Sequence, residues 1–196
     1  MRAAVVRRLG MAAKELRHKA TIMDEAAIMR AMRRLAHEII EKNKGIENTV
    51  IVGIQKRGAN LADMLAEELY RIEGVFIPVG TIDITYYRDD LSLVSVSPVV
   101  GGTHIPFDIN RKNVILVDDV IYTGRTVRAA IDGLFRLGRP DKVQLLVMID
   151  RGLRELPFKP DFVGKNIPTS HSELVAVKLV SSDGEGTVDI YERIES

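Results

Sequence analysis

The chain has 196 residues, 46% of them hydrophobic, with 28 basic against 27 acidic side chains and no cysteine. That length suits one well-buried domain and is tight for two, and the absence of cysteine excludes disulfides and thiolate metal sites. No apolar run approaches membrane-spanning length, so no membrane partner is expected, and a reducing cytoplasm fits.

Residues 1–18 set Arg2, Arg7, Arg8, Lys14 and Arg17 against one acid, Glu15. Neither an apolar core region nor a cleavage site follows, so this reads as a basic, mobile extension rather than a secretory signal, with 19–196 as a single domain. From Asp24 the pattern turns helical: Ile28, Ala31, Met32, Leu35 and Ile39 form one apolar stripe that ends near Gly45. On the opposite face Arg30, Arg33, Arg34, His37 and Glu41 predict a mostly cationic ridge. A solvated charged face is its ordinary explanation, and nucleic-acid binding the sharper one.

Residues 49–54 predict a strand, and Gln55-Lys56-Arg57-Gly58 an amide-rich turn that opens a helix over 59–72. A further strand is predicted over 76–84, followed from Thr85 to about Phe107 by a long irregular segment, either a lid or a hairpin. The run Val114-Ile-Leu-Val is a strand buried on both faces, which puts Asp118 and Asp119 at its carboxyl end, where ligands of open α/β sheets bind. Thr123 to Thr126 then offers backbone N–H groups and two hydroxyls ahead of a helix marked by Val127, Ile131, Leu134 and Leu137. A helix start of this kind suits a phosphate, with Gly124 permitting close approach. Paired carboxylates accept from vicinal ribose hydroxyls or hold Mg²⁺. A receiver-type phospho-acceptor pocket, or two solvated helix caps, would also place two aspartates at a strand end, but neither requires the Thr-Gly-Arg-Thr that follows. Strands over 142–149, 174–180 and 187–191 complete an α/β fold: a twisted, mainly parallel sheet with helices on both faces and a small hood.

The run from Val114 to Thr126 resembles the phosphoribosyl diphosphate (PRPP) motif of type I phosphoribosyltransferases, and Tyr122 narrows the resemblance to the PyrR family of pyrimidine operon attenuators and uracil phosphoribosyltransferases. Further motifs match in the same order. They are Ala36-His37-Glu38-Ile39-Ile40 with Asn43-Lys44-Gly45; Val52-Gly53-Ile54 with Arg57-Gly58; and Asp83-Ile84-Thr85 with Tyr87-Arg88-Asp89-Asp90. Arg151-Gly152 with Arg154-Glu155-Leu156-Pro157, and the run from Gly164 to Ser170, follow.

The resemblance implies a type I phosphoribosyltransferase-like fold, transfer from PRPP to uracil giving UMP and diphosphate with Mg²⁺, and binding of pyrimidine leader mRNA controlled by UMP or UTP. It implies that Asp118 and Asp119 anchor the ribose and hold Mg²⁺ through water, while Tyr122, Thr123, Gly124, Arg125 and Thr126 take the ribose phosphate. Lys56, Arg57 and Gly58 would take the diphosphate, with Arg88 joining as a lid closes. Arg33, Arg34, His37, Arg154, Lys159 and Lys165 would contact RNA, and a cytoplasmic homo-oligomer, dimer or tetramer, is expected. Lys56 stands where the family usually has Thr, Leu153 where it has His, Lys159 where it has Arg, and Arg33 where Thr is common. An enzyme that has lost RNA binding, and a regulator with little catalysis, therefore stay open as alternatives.

Overall fold

The three most apolar segments form the middle of the sheet. β2 (Thr49–Ile54), β4 (Asn113–Ile121) and β5 (Lys142–Asp150) are buried along most of their length, because a central parallel strand meets a helix on each face. The structure, a computed structural model, describes residues 16–85 and 102–194. With β3 (Val79–Ile82) and β6 (Phe162–Asn166), the strands make a five-stranded parallel sheet in the order β3-β2-β4-β5-β6. From β2 the chain crosses outward to β3, and from β4 it crosses the other way to β5 and β6. The order therefore reverses between β2 and β4, and the crevice at their carboxyl ends is the place where such sheets bind ligands.

α1 (Glu25–Asn43) buries Ile28, Ala31, Met32, Leu35, Ala36 and Ile39, the predicted stripe with one addition. Asp24 caps it by accepting from the Ala27 amide at 2.7 Å. It ends at Lys44, whose φ of 57° allows its own amide and that of Gly45 to close on the carbonyls of Glu41 and Ile40. α2 (Arg57–Glu73) shares a core with α1 through Leu61, Leu65 and Leu69, whereas α3 (Arg125–Leu137) buries Val127, Ala130 and Leu134 in a second core on the opposite face.

A three-stranded antiparallel hood stands apart from this sheet, in the order β1-β8-β7. β7 (Glu173–Lys178) and β8 (Thr187–Arg193) occupy the two late predicted strands, joined by the four-residue α4 (Val180–Asp183). β1 (Leu16–Asp24) is a finding beyond the sequence reading: Leu16, the first described residue, is already paired with Arg193, ahead of the expected domain start at Lys19, and Arg17 and His18 pair with Glu192 and Tyr191. The predicted strand over 76–84 shrinks to Val79–Ile82, since Phe76 is 82% exposed and stacks on Tyr70 with ring centroids 4.2 Å apart. Among the described residues no helix is long and apolar enough to cross a membrane.

Candidate active site

The carboxyl end of β4 carries the two carboxylates. Asp118 is buried, at 6% exposure, and its Oδ1 accepts from the Asp119 amide at 2.9 Å, while Asp119 Oδ1 accepts from the Val120 amide at 2.9 Å. Burial, reinforced by the neighbouring Asp119 charge, holds the Asp118 carboxyl well above the usual carboxylate range. Burial also raises Asp119, with the Arg57 guanidinium among the groups that oppose the rise.

Beyond them the chain turns into α3 around a cavity of about 370 Å³ lined by Asp118, Val120 to Val127 and Glu155. Gly124 stands at the cap of α3 with φ 93° and brings no capping side chain, and Thr123 Oγ1 reaches the Arg125 amide only at 3.4 Å. A side chain on Gly124 would meet Phe158 at 3.2 Å and Leu156 at 3.3 Å, so glycine is favoured by the left-handed backbone and a larger residue would also press on these two neighbours. The segment after β5 closes over the loop: the amides of Glu155 and Leu156 donate to the Thr123 carbonyl at 3.0 and 2.9 Å. Arg125 is drawn the same way, with Nε 2.9 Å from Glu155 Oε2. A weakly capped helix start, two threonine hydroxyls and an arginine around one cavity form a concave set of donors, an arrangement whose chemistry suits an anion.

The turn after β2 approaches from the side. Its Gln55–Lys56 peptide is cis, and a Cβ on Gly58 would collide with the Val117 carbonyl and sit 3.2 Å from Asp118 Cα. Gly58 thus brings the start of α2 against the end of β4, and Arg57 close enough to act on Asp119. Lys56 is exposed. Arg88 lies outside the described residues, as does most of the segment expected to form a lid.

His171 belongs to no motif of the sequence, and the contacts of Tyr122, Arg151 and Glu155 needed the fold to be seen. Tyr122 is fixed from two sides, its hydroxyl 3.1 Å from His171 Nδ1 and its ring 4.3 Å from the Arg151 guanidinium. Arg151 is buried and donates to Thr169 and to the carbonyls of Ser170 and Glu173, tying the hood to the end of β5. Glu155 was visible only as part of a motif, and its pairing with Arg125 required the fold.

The basic residues divide. Arg33, Arg34 and His37 are exposed on α1, and α1 packs along β6, which carries the exposed Lys165. Arg34 joins the two elements by donating to the carbonyls of Val163 and Gly164 at 3.0 and 2.7 Å, and Arg33 reaches Glu68 at 3.3 Å. Lys159 is also exposed. Arg154 faces inward: it donates to the carbonyls of Phe158, Tyr122 and Gly152 and pairs with Asp150 at 2.6 Å, so its fork is spent holding its own loop. Leu153, beside it, takes a left-handed φ of 57°.

Residues 18–181 match the phosphoribosyl transferase domain family. The chain is 61% identical over 172 residues to the bifunctional protein PyrR of Acetivibrio thermocellus, covering 88% of this chain and 94% of that one. It is 54% identical over 174 residues to the protein of the same name from Clostridioides difficile, covering 89% and 98%. The hypoxanthine phosphoribosyltransferase of Trypanosoma cruzi superposes with a TM-score of 0.67 at 19% identity, covering 90% of this chain and 98% of that chain, which establishes a shared fold. A hypoxanthine-guanine phosphoribosyltransferase of Bacillus anthracis does so with a TM-score of 0.64 at 21% identity, covering 91% and 99%. With the strand-end carboxylates, the helix-start cradle and the adjoining glycine turn set at one switch point, these matches make the chain a phosphoribosyltransferase-fold member of the bifunctional PyrR family.

Proposed function

We propose that the protein transfers phosphoribose from PRPP to uracil, releasing diphosphate and UMP, and that it also binds pyrimidine leader mRNA in response to uridine nucleotides. One observation carries the enzymatic half: the buried carboxylate of Asp118, with Asp119 next to it in the chain, and a helix start open to a ligand meet at one cavity, beside a glycine turn that brings Arg57 to the same strand end. In that arrangement Thr123, Gly124, Arg125 and Thr126 grip the ribose phosphate, and Asp118 and Asp119 accept from the ribose hydroxyls. Lys56, Arg57 and Gly58 face the diphosphate. PRPP carries its own leaving group, so no enzymic nucleophile is required; the work is orientation and stabilisation of charge as the bond to diphosphate breaks.

The donor set also fits Mg²⁺. All its ligating atoms are oxygens, the buried Asp118 carboxyl would be stabilised in its ionised form by a cation, and two carboxylates suit an ion that keeps waters and substrate oxygens in its shell. When bound, Mg²⁺ would neutralise charge on the diphosphate and ribose oxygens. Incubating the protein with labelled uracil, PRPP and Mg²⁺ tests the enzymatic half: labelled UMP is expected, and its absence under conditions where the protein is folded would remove this reading.

The regulatory half rests on the exposed Arg33, Arg34 and His37 of α1, of which Arg34 bonds to β6 beside the exposed Lys165, a strand far away in the chain. Lys159 extends the set, while Arg154 contributes by shaping the loop from within. Alternating cations on a rigid helix match phosphates along a folded RNA. The name that the relatives share, bifunctional protein PyrR, accords with two activities in one chain. A gel shift with the organism's own pyrimidine leader, with and without UMP, checks it.

A further inference from the structure

We infer that Asp183, in the short helix between hood strands β7 and β8, is a positioning residue for Arg57 and so sets the grip on the diphosphate of PRPP; this rests on the reading of Arg57 as a diphosphate ligand. Asp183 belongs to none of the motifs that mark the site. Its Oδ1 accepts from Arg57 at 3.1 Å, although the two residues lie 126 positions apart. Its Oδ2 is occupied separately, by the Leu179 amide at 3.1 Å and the Ser182 hydroxyl at 2.8 Å. The carboxylate is therefore held before it meets the guanidinium, which cannot drag it into a new rotamer. A second latch joins the same two helices, Asn60 Nδ2 donating to Ser181 Oγ at 2.9 Å.

Arg57 stands between two carboxylates of different origin, Asp183 from the hood and Asp119 from the end of β4. Without Asp183, the guanidinium would still feel the attraction of Asp119, and a contact there would turn Arg57 from the diphosphate and offset the charge of a ribose-binding residue. Arg57 Nε is buried and has no hydrogen-bond partner among the described residues, so one of its donors is uncommitted while another is anchored. A guanidinium fixed at one amine is held in a set orientation, which suits recognition of a phosphate. The bland alternative is that Asp183 only caps its own turn, in which case its loss would disturb every ligand equally.

UMP and PRPP separate the two, because both carry the ribose phosphate and only PRPP carries the diphosphate. Calorimetry on the full chain is expected to show PRPP binding weakened about tenfold in Asp183→Asn and more in Asp183→Ala, with UMP affinity unchanged within about twofold. In an Arg57→Ala background the Asp183 substitutions should add little, as expected for residues acting through one contact. Retained UMP binding certifies that the variants fold. Equal weakening of both ligands, or full additivity with Arg57→Ala, would overturn the positioning role. A wild-type protein that binds UMP but not PRPP would instead remove the enzymatic reading itself, and the role of Arg57 with it.

Discussion

The cavity at the end of β4 and the basic face of α1 and β6 are built on opposite terms. At the cavity the donors offered to a ligand are mostly backbone amides of a helix start, set by one continuous strand, loop and helix. On the basic face the donors are long side chains, and part of their capacity is already used inside the protein: Arg34 on the β6 carbonyls, Arg33 on Glu68. The first region is preorganised by the fold, so a single misplaced atom should be felt strongly. In the second, charge counts more than position, and losses should be graded and salt-dependent.

The largest effect is expected from Asp118→Asn with Asp119→Asn. Removing both charges at the strand end should lower UMP formation by on the order of 1000-fold, as loss of preorganised electrostatic groups commonly does. Uracil incorporation reads it, and turnover within about tenfold of wild type would break the claim that position rules this region. Gly124→Val comes next. The β-branched side chain meets a φ of 93° and contacts with Leu156 and Phe158, so PRPP and UMP should bind on the order of tenfold to 100-fold more weakly, from roughly 1–3 kcal/mol of backbone strain.

The basic face sharpens the comparison from the other side. Arg33→Ala with Lys165→Ala should weaken leader RNA about tenfold and lower the slope of log affinity against log salt by about one for each phosphate released, leaving UMP formation unchanged. Gel shifts across salt concentrations measure both. An effect that does not shrink at high salt would mean that these side chains touch bases rather than phosphates.

The smallest effect is one of stability. Asp118 has its carboxyl pKa raised by burial, so its contribution is favourable below the unfolded-state value and is lost as pH rises through the folded one. Asparagine does not ionise. Asp118→Asn, melted without Mg²⁺ or ligand, should therefore gain over wild type as pH goes from acid to neutral, by about 2–4 °C for each kcal/mol relieved. A gain that persisted below the ordinary carboxylate range would assign it to packing instead.

What could be read before folding follows the same division. The strand, the two aspartates and the loop after them lie within thirteen consecutive positions, and each is specified by local geometry, so their place was legible. The stripe of α1 was legible for the same reason, through its period. β1 was not: it lies at the edge of the hood, most of its side chains face solvent, and its partner β8 lies at the other end of the chain. Arg154 shows a subtler limit. Its position in a motif named it as a basic residue, yet only the turn made by Gly152 and Leu153, both with positive φ, reveals that its fork points back into its own loop. Asp183 and His171 reach the site across long sequence separations, and no pattern along the chain could bring them there.

The most direct test of the division into two regions is a double dissociation: uracil incorporation and nucleotide-free leader-RNA affinity, both measured on Asp118→Asn/Asp119→Asn and on Arg33→Ala/Lys165→Ala. If the regions are separate, the first variant loses turnover and keeps RNA affinity, and the second does the reverse. Loss of both activities in either variant, or a wild-type protein that cannot tell its own leader from an unrelated hairpin even with UMP present, would contradict it.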